Sequence, residues 1–207
     1  MTSDSVALDG RALGRRGLQT RRRLLDATAQ LLETAGIRDL RVVDIARAVG
    51  TSPATFYQYF REVEDAVLTL AEEVAEDLTP LANALAAGWT DHAARDVVVA
   101  FVDSWDQHRA VLRTRNLAAQ EGDQRFRTVR NASLHPIVTA IAERVAESQD
   151  AGRVTAAISP LAAASVIVAM TERVAAFHRE IESTGVGGDA LIETTARIID
   201  QTVTGPG

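Results

Sequence analysis

The 207-residue sequence contains no cysteine, which excludes disulfide frameworks, thiolate metal sites and thiol nucleophiles. It contains no lysine either: all 22 basic residues are arginine. Aromatic residues make up only 4% of the chain, and there are five prolines. The N-terminal stretch has no apolar core and carries Asp4 and Asp9, so it does not read as a secretory signal. The most apolar run, Leu161 to Met170, stops at Thr171-Glu172 and is too short to span a bilayer. No membrane partner is expected, and the expected setting is the cytoplasm. No P-loop, Ser-His-Asp set or glycine-rich dinucleotide turn is found. His92 with Asp96 stands at i, i+4, but the four histidines are dispersed and form no ligand set of the usual size. No catalytic residue, metal or cofactor is expected, and the chain does not read as an enzyme.

What is present is alanine, 36 positions of it, within a chain that is 46% hydrophobic. That composition favours helix and a packed core. The formal net charge is −6, but it is unevenly spread. Residues 1–60 hold nine arginines against six acids, a surplus of +3. Residues 61–207 hold the remaining 13 arginines against 22 acids, or −9. A small basic end that meets a polyanion, joined to a larger acidic body, fits this split.

The periodicity predicts only helices. Residues 1–17 read as a flexible basic arm containing Arg11, Arg15 and Arg16. A helix is predicted from about Leu18 to Ala35, with Arg21, Arg22 and Arg23 crowding its first turn against the helix dipole. An external anion explains those arginines better than local stability does. A second helix covers about Val42 to Val49 and ends at Gly50. Ser52 and Pro53 then read as N-cap and first residue of a third helix reaching about Tyr59. That short helix holds four aromatics, Phe56, Tyr57, Tyr59 and Phe60. Two short helices joined through a glycine turn and braced by a longer one are the parts of a helix-turn-helix unit.

The remainder reads as a helical body. A long segment from Val63 is expected to bend or end at Pro80. Further helices are expected from Asp91 through Trp105, from Arg109 to Ala119, from Asp123 to Ser148 with a kink at Pro136, from Pro160 to Glu182, and from Asp189 to Val203. The fold class expected is all-α, with about nine helices. The arm occupies 1–17, a helix-turn-helix DNA-binding domain 18–62, and a ligand-binding and dimerisation domain 63–207.

The stretch Val43 to Phe60 resembles the helix-turn-helix signature of the TetR (tetracycline-repressor) family. Ile45, Ala46, Gly50, Ser52, Thr55, Tyr57, Tyr59 and Phe60 stand at the matching positions. Three positions depart from the family pattern. Thr51 replaces a usual apolar residue, Arg41 a usual threonine, and Glu62-Val63 a usual Ser and Lys at the start of the fourth helix. Arg61 or Arg41 would then take over the phosphate contact of that lysine.

On the residues alone, Ser52 and the first turn of the third helix can hold a phosphate. Thr55, Gln58, Tyr57 and Tyr59 can reach base edges or backbone in a major groove, with Gln58 suited to adenine. Phe56 and Phe60 read as core. The expected DNA-contacting set is Arg21, Arg22, Arg41, Thr51, Ser52, Pro53, Ala54, Thr55, Tyr57, Gln58, Tyr59 and Arg61.

The resemblance implies a homodimer built on the last two helices. It also implies a repressor released from a palindromic double-stranded DNA operator by a small-molecule inducer. Val166, Met170, Val174 and Phe177, with Leu191, Ile192, Thr195, Ile198 and Ile199, supply apolar surface for the dimer. Trp89, Phe101, Trp105, His108, Asn116, Phe126, Met170, Thr171 and Phe177 are the candidates to line a pocket for a hydrophobic or acyl-type ligand. The alternative is an all-helical small-molecule binding protein whose DNA-binding head is silent.

Overall fold

The computed structural model describes residue 8 and residues 12–205. Of the basic arm, Arg11 lies outside the described residues. Among those described there are nine α-helices and no β-strand: α1 (Arg15–Leu32), α2 (Val42–Ala48), α3 (Pro53–Phe56), α4 (Val63–Glu76), α5 (Thr79–Ala87), α6 (Ala93–Gln120), α7 (Gln124–Asp150), α8 (Pro160–Glu182) and α9 (Gly188–Thr204).

Helix starts follow the capping chemistry. Ser52 accepts the Thr55 N–H ahead of Pro53, and Ser159 accepts the Ala162 N–H ahead of Pro160. Two features differ from expectation. α1 starts at Arg15, so Arg15 and Arg16 are helical and lie on its first turn. α3 ends at Phe56, and residues 57–59 continue as turn. α6 is broken at His108 (φ −130°, ψ 28°), between the two helices expected there.

One compact unit comprises the residues up to Glu73 together with Ala110–Val129. Its core gathers Leu24, Leu25 and Leu32 of α1, Ile45 of α2, Phe56, Phe60, Val67 and Phe126, all buried. The second unit comprises Val74–Arg109 and Arg130 onward. Leu81, Val97, Phe101, Trp105, Ile137, Ile141, Ile167, Ile199 and Val203 form its interior. Pro136 lies inside α7. Its missing N–H leaves the Ala132 carbonyl without the usual helical donor.

By length and composition α8 can cross a bilayer, with a window of mean hydropathy 1.4. This corrects the expectation drawn from the ten-residue run alone. In the fold α8 is a packing helix: Ala163, Ala164, Ile167, Val168 and Ala175 face inward, and buried Glu172 and His178 make polar contacts.

Candidate functional site

The turn between α2 and α3 is built by its glycine. Gly50 has φ +68°, a conformation that costs any residue with a Cβ. Its N–H donates to the Arg47 carbonyl at 3.1 Å, and the Thr51 N–H reaches the Ala46 carbonyl at 2.9 Å. These two bonds close the end of α2 as a Schellman motif and redirect the chain into α3. Ser52 Oγ then accepts the Thr55 N–H at 3.2 Å and lies 3.1 Å from the Thr55 hydroxyl. The Thr55 amide is thus satisfied within the turn.

Phe56 and Phe60 are buried with ring centroids 5.4 Å apart, which makes them the anchors of this segment, as expected. Anchoring them turns the remaining residues outward. Ser52, Pro53, Ala54 and Gln58 are exposed, Thr51, Thr55 and Tyr59 are half-buried, and Tyr57 is 53% exposed. Tyr57 packs edge-on against Phe56 at 5.9 Å, which fixes its ring while leaving its hydroxyl end outside.

The arginines divide by partner. Arg22 is bonded at 2.7 Å to both Asp26 and Glu73. Burial lowers its pKa, but these two carboxylates outweigh the effect and raise it above the ordinary value. Arg41 pairs with Asp44 at 2.8 Å, and Arg47 reaches the same carboxylate at 3.1 Å. The Arg41 hydrogen bond is the main cause that holds Asp44 below the usual carboxylate range. Arg21 lies over the Phe60 ring at 5.2 Å. Arg61 is exposed, and its main-chain N–H donates to Asp65 at 3.1 Å.

A cleft of about 510 Å³ opens between α1 and the α2–α3 turn. Arg16, Gln19, Thr20 and Arg23 line one side, and Val49, Thr51, Thr55 and Tyr59 the other. Arg23 is positioned by a 2.6 Å bond to the Val49 carbonyl. Neither Arg16 nor Arg23 belongs to the DNA-contacting set expected from the sequence. The spacing 16, 19, 20, 23 is one face of a helix and was the available signal.

The start of α4, where a phosphate-binding cation was sought, is acidic. Arg125 bonds Glu62 at 2.9 Å, Asp65 at 3.2 Å and Asp123 at 2.9 Å. The Asp123 bond is the main cause of a raised Arg125 pKa and, reciprocally, of a lowered Asp123 pKa. Glu64 and Asp65 in the first turn also suit the positive end of the helix dipole.

The nine pocket candidates fall in both units. Asn116 and Phe126 belong to the first; Phe126 is fully buried and Asn116 accepts from Arg115 Nε at 3.0 Å. The other seven belong to the second. Phe101 and Trp105 are buried core, Thr171 is buried with its hydroxyl on the Ile167 carbonyl, and Met170 is half-buried. Trp89 donates to Asp200 at 3.2 Å, and His108 Nε2 faces Asp77 at 3.2 Å. Phe177 is 37% exposed beneath the Arg173 guanidinium at 3.5 Å. A second cavity, of about 230 Å³, lies between α5 and α7 beside Leu78, Ala82, Ser133 and Pro136. None of the nine candidates lines it.

Comparison with known proteins bears on both halves of the chain. Residues 24–65 match the family described as bacterial regulatory proteins, tetR family. Residues 78–207 match the tetracyclin repressor-like C-terminal domain. The HTH-type transcriptional regulator EthR of Mycolicibacterium smegmatis is 26% identical over 193 residues, 91% of this chain and 88% of that protein. The transcriptional regulator FadR from Bacillus subtilis, solved in complex with stearoyl-CoA, overlays with a TM-score of 0.65 at 15% identity, covering 90% of this chain and 99% of that one. A regulator from Saccharomonospora viridis solved with choline overlays with a TM-score of 0.67 at 20% identity, covering 89% and 97%. At these identities the two overlays establish the fold.

Proposed function

This chain belongs to the TetR family of transcriptional regulators, and from that premise we propose that it is a homodimeric repressor released from a palindromic operator by a small hydrophobic or acyl-type ligand. Members of the family bind DNA operators as dimers and respond to small molecules. Here residues 18–62 serve as the reading head and 63–207 as the ligand-binding and dimerisation body, in the cytoplasm. The FadR relative solved with stearoyl-CoA supports the acyl class of ligand.

The observation that carries the reading is the arginine-flanked cleft beside an outward-facing Tyr57-Gln58 pair. A duplex phosphate enters between Arg16 and Arg23 on one side and the Thr51, Thr55 and Tyr59 hydroxyls on the other. Gln58 then meets a base edge, and Tyr57 donates to the neighbouring phosphate. Two such heads, about 34–36 Å apart, read a palindrome. Release follows if the ligand binds more tightly to the dimer whose heads are out of register with the grooves.

Operator affinity, measured by fluorescence anisotropy on the DNA upstream of the gene across a salt series, tests this. Binding falls steeply with salt, and each lost phosphate contact shallows the log–log slope by about 0.9. Arg23→Ala shallows it more than Arg22→Ala, because Arg22 is already neutralised by Asp26 and Glu73. Gln58→Ala costs about 1–3 kcal/mol and relaxes the preference at one base pair. A protein that forms no discrete complex at low salt instead favours a ligand binder with a silent head, for which the acidic start of α4 is the supporting feature.

A further inference from the structure

Arg109 stands on α6 one residue beyond the break at His108. Its Nη1 donates to the main-chain oxygen of Ala176 on α8 at 3.0 Å. Its Nε and Nη2 are shut off from solvent and have no hydrogen-bond partner. A guanidinium does not shed its proton at any working pH, so shutting two of its nitrogens off from solvent without a partner carries a desolvation cost that the one Ala176 bond offsets only in part. The two orphaned nitrogens share one edge of the planar group. That edge is the two-pronged face that receives both oxygens of a carboxylate.

Asp106, Asp77, Glu172 and Glu193 of the same unit have partners of their own. Asp106 meets His178 at 3.3 Å and also bonds Arg179. Asp77 faces His108, Glu172 holds Arg130, and Glu193 holds Arg95 at 2.7 Å. Arg144 also has an orphaned Nε, but its charge is answered by Glu147 at 3.1 Å. Arg109 makes no ion pair among the described residues. Beside the charged Asp106, His178 and Arg179 on the same two helices stand apolar positions: Trp105, one turn earlier on α6, is 6% exposed, and Ala175 on α8 is fully buried.

We propose that Arg109 is a ligand-binding residue, its Nε–Nη2 edge gripping the carboxylate of a small organic acid with an apolar body. A single negative charge matches a single unpaired cation. A phosphate dianion would need a second cation, and Arg130 and Arg179 are held by Glu172 and Asp106. The proposal rests on the ligand-responsive reading above and narrows its ligand class.

The test uses the full-length protein and a series of straight-chain carboxylates from acetate to dodecanoate, each against its methyl ester, with inorganic phosphate as a third arm. Binding is read by calorimetry and by the rise in melting temperature. At least one acid binds the wild-type protein about tenfold or more tightly than its ester, as a charge-assisted bidentate contact demands. Arg109→Met abolishes that preference while leaving ester binding intact, and Arg109→Lys retains part of it. Without ligand, Arg109→Met melts no lower than wild type, because an apolar isostere relieves an unpaired buried charge. The proposal is overturned by acids no tighter than their esters, by an acid preference that survives in Arg109→Met, by phosphate binding tighter than any acid, or by a ligand-free Arg109→Met that is clearly less stable. Operator binding by the ligand-free wild-type protein is scored separately: its absence overturns the repressor reading and leaves the outcome of the acid series standing.

Discussion

Of the six described glycines with positive φ, two differ in what a side chain would meet. Gly50 at φ +68° has open space around the position a Cβ would take, so Gly50→Ala meets only the left-handed backbone penalty. We expect a loss of about 1–2 kcal/mol, seen as a lower melting temperature with unchanged helical content. Gly205 at φ +95° differs, because a Cβ there would lie 2.4 Å from the Arg153 carbonyl. Gly205→Ala therefore costs more than Gly50→Ala, and urea unfolding of the two variants side by side checks the order. The first glycine was legible as a helix stop from its place after Val49. The second was not, because its constraint comes from a residue 52 positions away.

At the scale of the element, the capping signals were reliable and the long-range pairs were invisible. Ser52-Pro53 and Ser159-Pro160 marked the starts of α3 and α8 correctly. The start of α1 was placed three residues late, because the glycine-rich arm masks a helical turn in which Arg16 joins the face of Arg23. The break in α6 at His108 falls between the helices expected to end near Trp105 and to start at Arg109. Nothing in the local sequence announces that Arg125 gathers Glu62, Asp65 and Asp123, for the first two are about 60 positions away.

That cluster has a measurable pH signature. Asp123 is held below its ordinary pKa by the Arg125 hydrogen bond, so its contribution is complete above the unfolded carboxylate value of about 3.9 and is lost as pH falls through the lower folded value. Arg125→Met should therefore differ most from wild type near neutrality, by on the order of 1 kcal/mol for these partly exposed groups. The two melting curves should converge as the pH is taken to about 2; a constant gap across that range would contradict the assignment.

For the whole molecule, the sequence conveyed the architecture but not the allocation of apolar surface. Of the residues expected to supply a dimer face, Thr195 and Ile199 are buried within the unit, whereas Val166, Phe177 and Ile198 face outward at 66%, 37% and 47% exposure. On α8 the outward residues Ala162, Val166, Ala169, Arg173 and Phe177 follow one helical stripe. Two alanines on it permit close approach of a second helix. Val166→Arg is expected to give a folded monomer, visible as a halved mass in light scattering with an unchanged circular dichroism spectrum. Its operator binding should collapse with the loss of the paired heads. A Val166→Arg dimer of normal affinity would move the interface elsewhere.

The shortness of α3 has a further consequence. Four residues are fewer than helix nucleation requires, so this segment has no helical existence of its own. An excised peptide covering residues 42–61 will be a random coil in water and will not compete for duplex. Within the protein, the amides of Tyr57, Tyr59 and Phe60, which bond back to Pro53 and Phe56, can open only when Phe56 and Phe60 leave the interior. Their hydrogen exchange should accordingly track global unfolding of that unit, as slow as the centre of α1, although the residues themselves sit at the surface.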